Sequence, residues 1–183
     1  MTKPSRTPRS EAVFYLAGFV FMAVIIELIN YILHHRLCDY GIFPRRLNGL
    51  IGIITAPFLH YGWNHLMTNI MAITFLGGTV VVFYPKLFLK LSLLVMIIGG
   101  AGVWLIGRSS YHVGASGLLF GYFGFLISRG IYERTVPAIM VSVLVIIIYG
   151  GMMYGILPVS PYISWEAHLC GLLAGLLSAR ILK

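Results

Sequence analysis

"YHVGASGLLFGYFGF", Tyr111–Phe125, sets a small hydroxyl residue, Ser116, between Gly114-Ala115 and Gly117 and follows it with an apolar run. The 183-residue chain around it is 59% hydrophobic and only 10% charged, with a mean hydropathy of +0.92. A soluble domain carries roughly 25% charged residues. A chain this apolar has too little polar surface to face water and reads as an integral membrane protein, with the lipid bilayer as its surroundings. The net charge of +8 forms no stripe. The basic residues stand singly or in pairs between apolar runs, as topology signals do, and nucleic acid is not an expected partner. Cys38 and Cys170 lack CxxC spacing, so neither is read as a metal ligand or a redox partner.

About 20 apolar residues make one membrane-spanning helix. The expected helices are Val13–Leu33, His65–Phe83, Lys86–Ile106, Gly117–Ser128, Val136–Leu157 and Ala167–Leu182. The polar Glu27 and Asn30, with no small-residue cleavage site after them, argue against a cleaved signal peptide in the first. With the N-terminus in the cytoplasm, Lys3, Arg6, Arg9, Lys86, Lys90, Arg129, Arg134, Arg180 and Lys183 fall inside; Arg36, Arg45, Arg46 and Arg108 fall outside. That nine-to-four split puts both termini in the cytoplasm. Residues 1–10, rich in Pro, Ser, Thr and Arg, read as a disordered cytoplasmic tail, and residues 11–183 as one membrane domain. The outer stretch "CDYGIFPRRLNGLIGIITAPFLH" fits either a partly helical hairpin in the interface, with Arg45 and Arg46 snorkelling to headgroups, or an ordinary ordered loop.

The fourth helix is expected to be short. From Ser116 to Ser128 there are about a dozen residues, roughly 20 Å at 1.5 Å each, against a hydrocarbon core about 30 Å thick. With Arg129 at the cytoplasmic face, Ser116 lies below the outer surface, and the preceding "GRSSYHVGA" must descend as irregular backbone. Such backbone is tolerated only when buried in protein or lining a watery cavity. The length therefore predicts a wet pocket, open to the outside, with Ser116 at its floor.

Polar residues inside spans are functional candidates. His65 and Asn69, four apart, share one face of the second helix; His60 and Asn64 form a similar pair at its entrance; His168 opens the sixth. Each alone also fits a satisfied interfacial residue or plain helix packing. Together they fit nucleophilic catalysis. A serine at a helix N-terminus has free backbone N–H groups beside it that can hold an oxyanion, and a histidine can take its proton. Gly117, Gly121 and Gly124 on the fourth helix and Gly171 and Gly175 on the sixth bare one face of each, letting the backbones approach and bringing Ser116 to His168. The only acids are Glu11, Glu27, Asp39, Glu133 and Glu166. Glu166 lies about 200° around the helix from His168, so the chemistry is written as a Ser–His dyad.

These residues resemble the rhomboid family of intramembrane serine proteases, over about residues 11–183, in its six-transmembrane-helix core form: an all-α polytopic membrane bundle whose short fourth helix starts inside the membrane. "HYGWNHLMTN" carries His60, His65 and Asn69 in the family's His, His and Asn places; Gly114-Ala115-Ser116-Gly117 is the Gly-x-Ser-Gly signature; His168, Gly171 and Gly175 match the last helix. The resemblance implies an intramembrane endopeptidase that cleaves membrane-anchored protein substrates. Ser116 would be the nucleophile and His168 the base, with the Ser116 N–H, His65 and Asn69 at the oxyanion. Water would be the co-substrate, with no metal or organic cofactor. The family is thought to admit substrate beside its fifth helix and favours small residues at the cleaved bond. Two departures stand out. The family often has Tyr where Phe120 stands, stacked on the histidine, and many members carry Trp-Arg where this chain has Ile51-Gly52.

Two other classes fit parts of the pattern. A membrane binding or transport protein could use the histidines as a proton relay or haem ligands, but leaves the Gly-Ala-Ser-Gly stretch unused. A non-proteolytic relative would be expected to lack the serine or the histidine. The absence of a long N-terminal extension points to a bacterial inner or plasma membrane, with the site opening to the outer side.

Overall fold

The computed structural model describes residues 7–182. Lys3, Arg6 and Lys183 therefore lie outside the described residues. The described chain is helical, with one isolated bridge, Ile42 to His112. The helices are α1 (Pro8–Ile32), α2 (Gly52–Thr55), α3 (Trp63–Phe83), α4 (Phe88–Ile106), α5 (Ser116–Glu133), α6 (Val136–Tyr149) and α7 (Trp165–Ile181). Four segments are long and apolar enough to cross a membrane: Pro8–Ile32, Trp63–Phe83, Pro85–Ile106 and Val136–Ile156. The protein is an integral membrane protein. α5 and α7 are not among them: α7 has 17 residues, and both carry Arg, Glu, Gly and Ser that lower their hydropathy. Tyr122, Phe123, Phe125 and Leu126 of α5 are fully buried, and a helix shielded by its neighbours can carry Gly, Ser and charge that a lipid-facing helix cannot.

Local chemistry sets the ends. Thr7 caps α1, its hydroxyl accepting from the Ser10 N–H, and Pro8 needs no N–H there. The helix thus begins at Pro8 and takes in residues expected to belong to the 1–10 tail. Tyr84-Pro85 ends α3, because proline cannot supply the next helical N–H. Two further expectations change. α5 runs to Glu133 rather than stopping at Ser128, so it has 18 residues and spans about 27 Å at the helical rise. It can continue because its charges are satisfied: Arg129 pairs with Glu133 one turn on, lies over the Tyr84 ring and donates to the Leu182 carbonyl. The stretch Val136–Leu157, expected as one helix, is α-helical only to Tyr149 and then tightens into 3-10 turns over Gly150–Ile156.

The outer stretch between α1 and α3 is partly helical: 3-10 turns at Arg36–Tyr40 and Leu47–Ile51, then α2, then Ala56–Phe58. Arg45 does not snorkel. It donates to the Leu105 and Gly107 carbonyls at 3.1 and 2.8 Å, and so satisfies the end of α4. Trp104 donates to the Arg46 carbonyl at 2.9 Å. Gly49 and Gly52 touch the backbone of Phe43 and of Gly41-Ile42 so closely that a Cβ would overlap it. In place of a Trp-Arg pair at Ile51-Gly52, the loop is fastened by Arg45, Trp104 and bare glycine backbone.

The basic residues collect at two ends. Arg9 donates to Val82 at the end of α3, and Arg129 to Leu182 at the end of α7, so the start of α1 shares an end with the last turns of α3, α5 and α7. Arg45 and Arg108 stand at the other end of α4. α5 and α7 pack through glycine. A Cβ on Gly171 would fall on the Gly117 carbonyl, one on Gly175 on the Gly121 carbonyl, and one on Gly124 would stand 2.7 Å from the Leu172 oxygen. In lipid the hydrophobic effect does not drive helices together, and this close backbone approach supplies the attraction.

Candidate active site

Ser116 is the first residue of α5, after Ala115 at the cap position. The N–H groups of that first turn have no partner within the helix. The turn into it passes through Gly114 at φ +112°, a conformation a side chain would strain. Close contact also requires that glycine: a Cβ there would stand 2.8 Å from His65 Nε2 and 3.9 Å from Ser116 Oγ. His65 therefore approaches the start of α5 from α3 over bare backbone.

His65 and Asn69 take their places from the helical repeat. The Tyr61 N–H donates to His65 Nδ1 at 3.4 Å. A ring nitrogen that accepts carries no proton, so the His65 proton sits on Nε2, the atom beside Gly114 and Ser116. Asn69 spends one N–H on the His65 carbonyl at 2.8 Å and keeps its second. His60 is fully buried, packs edge-on against His65 at 4.9 Å, and lies behind it rather than in the cavity. Burial, and next the neighbouring His65, pushes its pKa down to about 3, so it is neutral.

His168 lies on the first turn of α7. Its Nδ1 is 2.8 Å from the Gly155 carbonyl. A carbonyl only accepts, so Nδ1 carries the proton and Nε2 keeps a lone pair, as a general base needs. Phe120, one turn after Ser116, stacks on the ring with centroids 4.3 Å apart and planes 12° apart. Glu166 faces away from His168, is buried, and pairs with Arg108. The Gly155 carbonyl holds the His168 ring in one orientation. The sequence reading missed Gly155, because a backbone acceptor in a 3-10 turn leaves no residue-type signal. Its glycine is required by the site: a Cβ would stand 2.8 Å from His168 Nδ1 and 3.2 Å from Phe120 Cζ.

Ser116, His65, Asn69 and His168 line one cavity of about 670 Å³, walled also by Tyr61, Arg108, Tyr111 and Tyr162. Ser116 and His168 face it without a hydrogen bond between them; such bonds are often long in a free enzyme and tighten on the substrate. Gly117, Gly121, Gly171 and Gly175 lie in the α5–α7 seam rather than in the cavity. No group of three or more His, Cys, Asp or Glu side chains with metal-binding geometry occurs among the described residues.

A membrane-embedded helical bundle with a serine, two histidines and an asparagine around an open cavity defines a class, and sequence comparison supplies the family. The Rhomboid domain matches residues 47–183. An uncharacterized protein of Mycobacterium tuberculosis (strain ATCC 25618 / H37Rv) is 36% identical over 174 residues, covering 90% of this chain and 72% of that protein. RHOMBOID-like protein 1 of Arabidopsis thaliana is 32% identical over 133 residues, 68% of this chain and 32% of that protein. Rhomboid-like protein 11, chloroplastic, of the same plant is 28% identical over 205 residues, 99% of this chain and 69% of its own. The chain belongs to the rhomboid family.

Proposed function

We propose that this protein is an intramembrane serine endopeptidase working through a Ser116–His168 dyad. One observation carries the reading: His168, its Nδ1 bound by the Gly155 carbonyl and its ring stacked on Phe120, keeps a basic Nε2 in the cavity that Ser116, His65 and Asn69 also line.

The steps follow from these groups. Ser116 Oγ attacks the carbonyl carbon of a peptide bond while His168 Nε2 takes its proton. The negative oxygen is met by the Ser116 backbone N–H, His65 Nε2–H and the spare Asn69 N–H, each worth about 2.7–4 kcal/mol in such a site. The C–N bond breaks as His168 protonates the departing amine, leaving an ester on Ser116. Water from the cavity, deprotonated by His168, attacks that ester and releases a carboxylate and the free serine.

In this reading α1, α3, α4, α5, α6 and α7 all lie in the membrane. The basic residues at the Arg9, Arg129 and Leu182 end mark the cytoplasmic side, with both termini there, and the cavity opens outward. From Ser116 to Arg129 the helix rises about 20 Å, which sets the serine below the outer surface. The setting is a bacterial inner or plasma membrane; the likeness to mycobacterial proteins over 90% of the chain supports this. Substrates are membrane-anchored proteins, entering beside α6, whose Ile139, Met140, Val143 and Ile147 are exposed to lipid.

The test is cleavage of a tagged single-span reporter in liposomes by wild type and Ser116→Ala, with fluorophosphonate labelling alongside. Wild type should cut and take the label, and Ser116→Ala should do neither. Cleavage by Ser116→Ala at the wild-type rate would end the reading.

A further inference from the structure

His112 is buried and uses every polar atom it has. Its Nδ1 is 2.6 Å from Ser164 Oγ, its Nε2 is 3.1 Å from the Arg108 carbonyl, and its backbone exchanges both hydrogen bonds with Ile42, at 3.0 and 2.9 Å. Because a carbonyl only accepts, Nε2 carries the proton and Nδ1 accepts from the Ser164 hydroxyl. Burial holds the imidazole pKa below its ordinary value, which favours this neutral form. Ser164 is in turn the cap of α7: its Oγ accepts from the Ala167 N–H at 3.2 Å and its carbonyl accepts from the His168 N–H at 3.2 Å.

The placement has a symmetry. His112 lies four residues before Ser116 and Ser164 four residues before His168. One short bond thus joins the loop that delivers the nucleophile to the cap that delivers the base. The glycine seam of α5 and α7 fixes the two helices below the dyad, but the segments that enter them come from opposite sides of the chain. Among the described residues, the other polar links between the Gly107–Ala115 loop and the start of α7 run through Arg108, whose guanidinium donates to the Ile163 carbonyl and pairs with Glu166 and whose backbone N–H donates to the Glu166 carboxylate. Ile42 ties the backbone of the same histidine to the outer loop, so three separate chain segments meet on one residue.

Resting on the protease reading, we infer that His112 is a positioning residue which, through its bond to Ser164, sets the separation of Ser116 and His168. It touches neither reacting group. It acts by holding both helix starts in register, and a misplacement of about 1 Å between reacting groups is enough to cost ~100-fold in rate.

The experiment uses the full chain in liposomes with the single-span reporter and the fluorophosphonate probe, Ser116→Ala serving as the inert control. His112→Ala and Ser164→Ala should each lower kcat and the labelling rate ~10–100-fold with KM unchanged. The double variant should be no slower than the worse single one, because one shared bond is lost. His112→Asn puts an acceptor where Nδ1 stands and should restore the rate to within about 3-fold, whereas His112→Gln, which mimics Nε2, should not. A purely structural role would treat Asn and Gln alike, and the Asn–Gln comparison decides even if the alanine variants fail to fold. An active wild type with an equally active His112→Ala, or single effects that multiply, would overturn the inference alone. A wild type no better than Ser116→Ala would overturn the protease reading, and the inference with it.

Discussion

Gly171→Ala is the change on which the packing argument is most exposed. The added Cβ would lie on the Gly117 carbonyl oxygen, 2.8 Å from the Gly117 carbonyl carbon and 3.0 Å from its Cα. Ordinary carbon contacts are about 3.5–4 Å, so the carbon contacts alone require α5 and α7 to part by roughly 0.5–1 Å, and the closer carbonyl oxygen requires more than about 1 Å. The neighbours that must yield are backbone, which cannot rotate away. Overpacking of this kind costs about 1–3 kcal/mol of stability. The same displacement acts on the proposed Ser116–His168 dyad, since Gly117 adjoins Ser116 and Gly171 lies three residues after His168. A shift near 1 Å between reacting groups lowers the rate ~100-fold, equivalent to about 2.7 kcal/mol of barrier. Thermal unfolding in detergent measures the first effect and reporter cleavage in liposomes the second. Gly18→Ala is the control, because nothing lies within 4 Å of a Cβ there. It should leave turnover unchanged and favour the helix by up to ~1 kcal/mol. A Gly171→Ala protein with wild-type turnover and unfolding temperature would refute the reasoning.

Three further outcomes are expected. His65→Ala and Asn69→Ala should each lower kcat about 10²–10³-fold while leaving fluorophosphonate-free thermal unfolding within a few degrees, the signature of lost oxyanion donors; unchanged kcat would remove that residue from the oxyanion site. Gly155→Ala, whose Cβ would stand 2.8 Å from His168 Nδ1, should push the imidazole off its carbonyl partner and cost ~10–100-fold in kcat, read by the same cleavage assay against wild type. Arg45→Ala removes both hydrogen bonds to the end of α4 and should lower stability by about 1–2 kcal/mol, seen as a lower midpoint in a denaturant series, with turnover reduced less than for Gly155→Ala.

Most of the helix plan was legible in the chain because lipid imposes a long apolar run on each span, and Tyr84-Pro85 and Gly107 mark their ends. The candidate residues were legible for a related reason. His65, Asn69 and His168 are polar where polarity is costly, so they stand out from their surroundings. The glycines of the α5–α7 seam followed from spacing of three and four, which any helix turns into a face. The far end of α5 was missed because its charges looked like a boundary, and only the folded chain brings Tyr84 and Leu182 to Arg129. The 3-10 turns after Tyr149 were missed because hydropathy continues through them unbroken.

The sequence by itself thus determined that this is a membrane bundle and which side chains are available for chemistry, because composition and helical period are local properties. Only the tertiary structure decided how those side chains are held. The acceptor for His168 is a carbonyl, from Gly155, thirteen residues away in the chain. The fastening of the outer loop is Arg45 on the end of α4. The link between the two helix starts is a 2.6 Å bond between residues 52 apart. Backbone acceptors are the same in every residue, and contacts between distant segments have no period, so neither leaves a mark that can be read before the chain is folded.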